Sequence, residues 1–180
     1  MMKEIVLLSP DNIFGVCYYH TLRESYSVIL DQVQNVVEFE KFEITILLNL
    51  TDKDSLKYYI TRSRRTIRDN RSEKYKVILC RKQFYNICKS IFNSNKVIHD
   101  KMHLGELNKT LMREAPLSTS KTLTLKEIEV LLLLLEKKTI QQIADKRKVS
   151  YKTVHSQMRS ISFKVKARNI RDLHRIICSL

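Results

Sequence analysis

The sequence predicts two domains of different class, a small parallel α/β domain followed by an all-α domain of four helices. Three observations carry this reading. Short apolar runs alternate with longer mixed segments in the first two thirds of the chain. From Leu123 onward the apolar spacing is helical only. Between the two, APLSTSKT (Ala115 to Thr122) gathers Pro, Ser and Thr without an acid or a bulky aromatic residue, as linkers do. The expected division is residues 1–114, a linker at 115–122, and residues 123–180.

In chain order, KEIVLL (Lys3 to Leu8), ITILLNL (Ile44 to Leu50), YKVILC (Tyr75 to Cys80) and KVIH (Lys96 to His99) read as buried strands, with VQNVVEF (Val33 to Phe39) a weaker one. Phe14 to Leu30, Asp54 to Asp69, Lys82 to Phe92 and Gly105 to Glu114 read as helices between and after them. In the second domain, Thr124-Leu-Lys-Glu127 and Thr139-Ile-Gln-Gln142 are capping boxes, each opening a helix. Ser150 and Asn169 supply two further N-caps. The expected core of this bundle is Leu123, Ile128, Leu131, Leu135, Ile143, Ala144, Val149, Val154, Met158, Ile161, Val165, Leu173 and Ile177.

Charge narrows the partners. The net charge is +14, and the residues from Ser118 onward hold fourteen Lys and Arg against five Asp and Glu. Such a balance favours a polyanion, nucleic acid before a membrane surface. The longest apolar run, Val130 to Leu135, is far short of a membrane span, and no N-terminal signal segment is visible, so a cytoplasmic protein is expected. The four cysteines show no CxxC pair and read mostly as buried reduced thiols. Two glycines in the whole chain leave no phosphate-binding Gly-rich loop, and no nucleophile–base pair has a local signature; no cofactor and no enzyme activity is expected.

One helix, VSYKTVHSQMRSISFKVK (Val149 to Lys166), has two characters. Val154, Met158, Ile161 and Val165 form an apolar stripe, while Lys152, His155, Ser156, Arg159 and Lys166 lie on or near the opposite side. No acid occurs in the segment. A solvated face and a DNA-reading face both fit that pattern. Elsewhere, TRSRRTIRDNR (Thr61 to Arg71) reads as a solvated helix end in preference to an acidic-partner or DNA-backbone contact. His99, Asp100 and His103 read as surface residues in preference to a metal site.

The stretch from Leu123 to about Ile177 resembles the LuxR/NarL-type helix-turn-helix domain in one ungapped register. Leu123-Thr124, Glu127 and Glu129-Val130-Leu131 match its opening signature; Ile143-Ala144, Val149-Ser150 and Thr153-Val154 match the central one. The resemblance implies that Ile140 to Ala144 begins the scaffold helix and that Tyr151 to Val165 is the recognition helix, entering the major groove of double-stranded DNA. It puts base contacts on His155, Ser156 and Arg159, phosphate contacts on Lys152, Thr153, Ser160 and Lys164, and a dimer contact on Ile170, Leu173 and Ile177. Three departures stand out: Lys137 replaces a turn glycine, which suggests a different turn; Arg147 replaces a leucine; and Gln157 stands where histidine is common. TVHSQ with Ser160 resembles the Rcs-type branch.

The first domain resembles, more distantly, a degenerate receiver of flavodoxin-like order. Asn49 falls where a receiver carries its phosphorylatable Asp, and Ser9-Pro10 replaces the acidic pair, with Asp11 displaced. Cys80 falls near the usual Ser/Thr position and Lys101 near the usual Lys. An amide forms no acyl phosphate, so the resemblance implies a DNA-binding regulator that is not switched by phosphorylation. The alternative is an auxiliary regulator of the Rcs type acting mainly as a heterodimer with another transcription factor.

Overall fold

The computed structural model describes residues 4–10, 13–24, 26–32, 35, 45–63, 76–92, 96–102, 104–112 and 122–178. These divide into two compact units, Met1–Tyr85 with Ser94–Leu117, and Asn86–Asn93 with Ser118–Leu180.

In the first unit, five parallel strands form one sheet in the order β2-β1-β3-β4-β5. They are β1 (Glu4–Leu8), β2 (Ser27–Asp31), β3 (Thr45–Asn49), β4 (Lys76–Cys80) and β5 (Val97–His99). β3 and β4 are buried along their whole length and β1 from Ile5 onward, as near-continuous apolar runs such as IVLL and TILL require when both sheet faces are covered. Ile5, Leu7, Leu47, Val77, Leu79 and Ile98 join a core completed by Leu22 of helix α1 (Ile13–Leu22) and by Leu107 and Leu111 of α4 (Leu104–Met112). The alternate residues Val6, Leu8, Ile46, Leu48 and Ile78 are equally buried. One more helix of this unit, α2 (Lys53–Ser63), lies between β3 and β4 in the sequence; α3 (Tyr85–Phe92), led in by a 3₁₀ turn at Lys82–Phe84, falls with the second unit from Asn86 onward.

One element differs from expectation. The helix expected to run from Phe14 to Leu30 stops at Leu22, and its last part is the edge strand β2, paired in register with β1 from Glu4↔Ser27 to Leu8↔Asp31. The segment IFGVCYYHTL is apolar or aromatic almost throughout and carries no Gly or Pro at its end, so periodicity does not mark where it stops. Pairing with β1 then claims the β-branched Val28 and Ile29. The weaker strand candidate at 33–39 apart from Asn35, the linker up to residue 121, Asp11, His103 and the arginines at 64, 65, 68 and 71 lie outside the described residues.

The second unit carries α5 (Leu125–Leu135), α6 (Ile140–Arg147), α7 (Tyr151–Lys164) and α8 (Ile170–Cys178). Both capping boxes are present with their reciprocal bonds. Ser150 Oγ accepts from the Thr153 N–H, and Asn169 Oδ1 from the Asp172 N–H. All of the expected core residues are buried except Val149, which is half-buried. Lys137 occupies the left-handed region at φ 59°, and its neighbours close the helix as a glycine would: Lys137 N–H donates to Leu134 O and Lys138 N–H to Leu133 O. The substitution of lysine for glycine therefore keeps the usual turn, contrary to the sequence-based expectation.

All four cysteines are free; Cys80 and Cys88 are buried as expected, whereas Cys17 and Cys178 are exposed. No helix among the described residues is long and apolar enough to cross a membrane.

Candidate nucleic-acid interface

α7 is seated by its apolar stripe. Val154, Met158 and Ile161 are fully buried, and Val165 closes the stripe at the C-cap. The opposite side presents Lys152, Ser156 and Arg159 to solvent, with His155 half-buried. Tyr151 stacks on His155 with ring centroids 6.2 Å apart and planes at 20°. The expected base-contacting residues thus share one outward side of one helix, beginning at its capped N-terminus where free N–H groups favour anions. Thr153 is exposed there too, its Oγ1 2.9 Å from Ser150 Oγ.

Two expected phosphate contacts are placed differently. Ser160 Oγ donates to Glu127 Oε1 at 2.6 Å, and Lys164 Nζ to Glu127 Oε2 at 2.7 Å. Glu127 is only 5% exposed, and its Oε2 also accepts from the Thr124 N–H to complete the capping box. Ser160 and Lys164 therefore tie α7 to α5. Residues at these positions project toward a flank of α7, roughly 100° from the outward side. Burial raises the Glu127 pKa, but hydrogen bonds from Lys164, Ser160 and Thr124 outweigh it and hold the carboxyl below its usual value.

A second polar tie lies beside the first. Arg147 Nη1 donates to Gln157 Oε1 at 2.5 Å, and its other nitrogen lies 3.5 Å from Glu129. The two departures at Arg147 and Gln157 meet each other: their side chains join α6 to α7 by a hydrogen bond.

The residues expected to form a dimer contact are mostly core. Leu173 is fully buried and Ile177 is 2% exposed, so neither is available at the surface of the unit; Ile170 is half-buried. With apolar residues four apart on a short helix, a dimer stripe and a core stripe look alike in sequence.

Sequence reasoning missed one surface. Tyr151, His155, Arg159 and Phe163 recur at intervals of four along α7, and Phe163 is 69% exposed. His155, Arg159 and Phe163 line one wall of an open groove of about 620 Å³, with Arg168, Asn169 and Arg171 on the other. The interval was legible, but the loop that brings Arg168 and Arg171 opposite it was not.

In the first unit, Asn49 ends β3 and is fully buried. Its Nδ2 donates to Ser9 Oγ at 2.9 Å, its Oδ1 accepts from Thr51 Oγ1 at 2.8 Å, and Ser9 Oγ donates to Pro10 O at 3.0 Å. The set is neutral and closed on itself. Cys80 is buried at the end of β4, with Sγ 3.4 Å from Ile98 O. His99 Nδ1 accepts from the Lys101 N–H, and Asp100 Oδ1 from the Lys82 N–H. No cluster of three or more His, Cys, Asp or Glu suited to a metal occurs among the described residues.

Residues 121–177 match the family GerE, the bacterial regulatory proteins of the luxR family. They form a LuxR-family domain. No curated protein matches the chain in sequence. Among solved structures, one described as two RcsB dimers bound to two parallel DNAs shares 18% identity, covers 99% of this chain and 100% of its own, and superposes with a TM-score of 0.53. An RcsB response regulator from Salmonella typhimurium shares 18% identity over 99% of this chain and 98% of its own, at a TM-score of 0.50. The fold is therefore a receiver-like parallel sheet domain followed by a LuxR-family helical domain.

Proposed function

We propose that this protein is a bacterial transcription regulator that reads the major groove of double-stranded DNA with α7, independently of phosphorylation at Asn49. The observation that carries the reading is the acid-free outward side of α7, which puts Arg159, Ser156 and His155 together on a rigid, capped helix of a LuxR-family domain. Arg159 is the principal base reader, since its guanidinium fork matches guanine O6 and N7. Lys152 and Thr153 hold the phosphates at the N-terminal end. The regulator works as a dimer, as RcsB does on its DNA, through a surface other than Leu173 and Ile177.

A heterodimeric regulator is the alternative, and the degenerate receiver is what supports it; the Arg147–Gln157 hydrogen bond between α6 and α7 supports a DNA-binding unit that packs on its own. The test is anisotropy of the full chain on duplexes selected from a random pool. Arg159→Ala is expected to cost about 1–3 kcal/mol on a selected duplex and little on random DNA. Equal losses on both would remove Arg159 from base reading; binding only in the presence of a second regulator would favour the heterodimer.

A further inference from the structure

A groove between the end of α7 and the start of α8 continues past the base-reading residues His155 and Arg159. Its walls carry Arg159 and His155 on one side and Arg168 and Arg171 on the other. Arg168 and Arg171 are exposed. Asp172 lies outside the lining; its carboxylate accepts from the Arg168 backbone N–H at 2.9 Å and from Arg175 at 2.7 Å, and it is also drawn to the Arg168 charge, whereas Arg171 is not among the groups that hold it. Phe163, the most exposed large hydrophobic of the described residues, lines the groove together with these arginines.

We infer that this groove is a second DNA-backbone seat, holding phosphates of the strand that flanks the bases reached by Arg159. It rests on the major-groove reading above and extends the footprint from the first turn of α7 to its far end. The Arg159 position is shared by both, so a strand leaving the base reader passes directly into the groove. Arg168 and Arg171 neutralise phosphates there, and the Phe163 ring covers the apolar face of a deoxyribose. A free anion of small size would use the arginines but leave the ring idle in water. A polyanion with apolar sugars between its charges uses both.

Salt dependence separates this from base reading, because each phosphate neutralised adds about 0.9 to the slope of log K against log salt concentration. The probe is a fluorescein-labelled duplex of random sequence, titrated with the full chain at several salt concentrations. Arg168→Ala with Arg171→Ala is expected to lower the slope by about 2. Arg168→Lys with Arg171→Lys should restore it. Phe163→Ala should weaken binding at an unchanged slope, and Lys146→Ala, outside the groove lining and paired with Glu136, should leave both nearly unchanged. An unaltered slope in the double alanine variant, or an equal drop from Lys146→Ala, would overturn the groove assignment while leaving major-groove reading intact. Absence of binding by the unmodified protein would overturn both.

Discussion

At Glu127, burial and charge oppose each other, and hydrogen bonds decide the outcome. A carboxylate 5% exposed is costly unless it is paired, and here Lys164, Ser160 and the Thr124 N–H all donate to it. Removing it strands an ammonium whose side chain is 17% exposed. Glu127→Ala is therefore expected to cost about 3–5 kcal/mol in urea unfolding at neutral pH, with Glu127→Gln losing less. The pH dependence has a definite sign. The folded pKa lies below the usual 4.5, so this stabilisation is fully present above 4.5 and fades as pH falls through the folded value. The difference in stability between wild type and Glu127→Gln should thus be flat above that point and shrink below it. A gap that persists undiminished at acid pH would show that the charge is not what Glu127 contributes.

The helices show how much was legible in sequence and why the rest was not. Caps are local, so Thr124, Thr139, Ser150 and Asn169 were found from neighbours three residues away. The apolar stripe of α7 is local too. By contrast, β2 depends on pairing with β1, and the Glu127 and Arg147 ties join residues thirty-three and ten positions apart or more. No helical period encodes such partners. The left-handed residues Lys137, Lys148 and Lys166 form a middle case: their positions were visible as helix ends, but lysine does not announce a positive φ. Each carries a cost that glycine avoids. Lys137→Gly is expected to raise stability by up to about 1 kcal/mol, part of the gain being offset by the greater entropy of the unfolded chain and the loss of a cation at a helix C-terminus. A loss of stability in urea unfolding would mean that the lysine side chain makes a contact worth more than the strain.

At the scale of the molecule, charge is spread unevenly along the chain. The +9 carried by residues 118–180 gives DNA affinity its electrostatic part. A parallel sheet of order β2-β1-β3-β4-β5 binds ligands beyond the carboxyl ends of its strands, and that is where Asn49 and Ser9 meet. A phosphorylatable site there needs a nucleophilic carboxylate and further oxygens to hold Mg²⁺. Instead, Asn49 donates to Ser9 and accepts from Thr51, so its amide is held by neutral partners. Its amide nitrogen has no lone pair free to attack phosphorus. Incubation with acetyl phosphate and Mg²⁺ is accordingly expected to leave no phosphoryl adduct on the intact protein by mass spectrometry, and no change in affinity for a selected duplex. An adduct mapping near β3 with altered DNA binding would show that another side chain has taken over the acceptor role, and that the first unit still switches the second. With neither effect, phosphoryl chemistry at β3 is removed as a route of regulation.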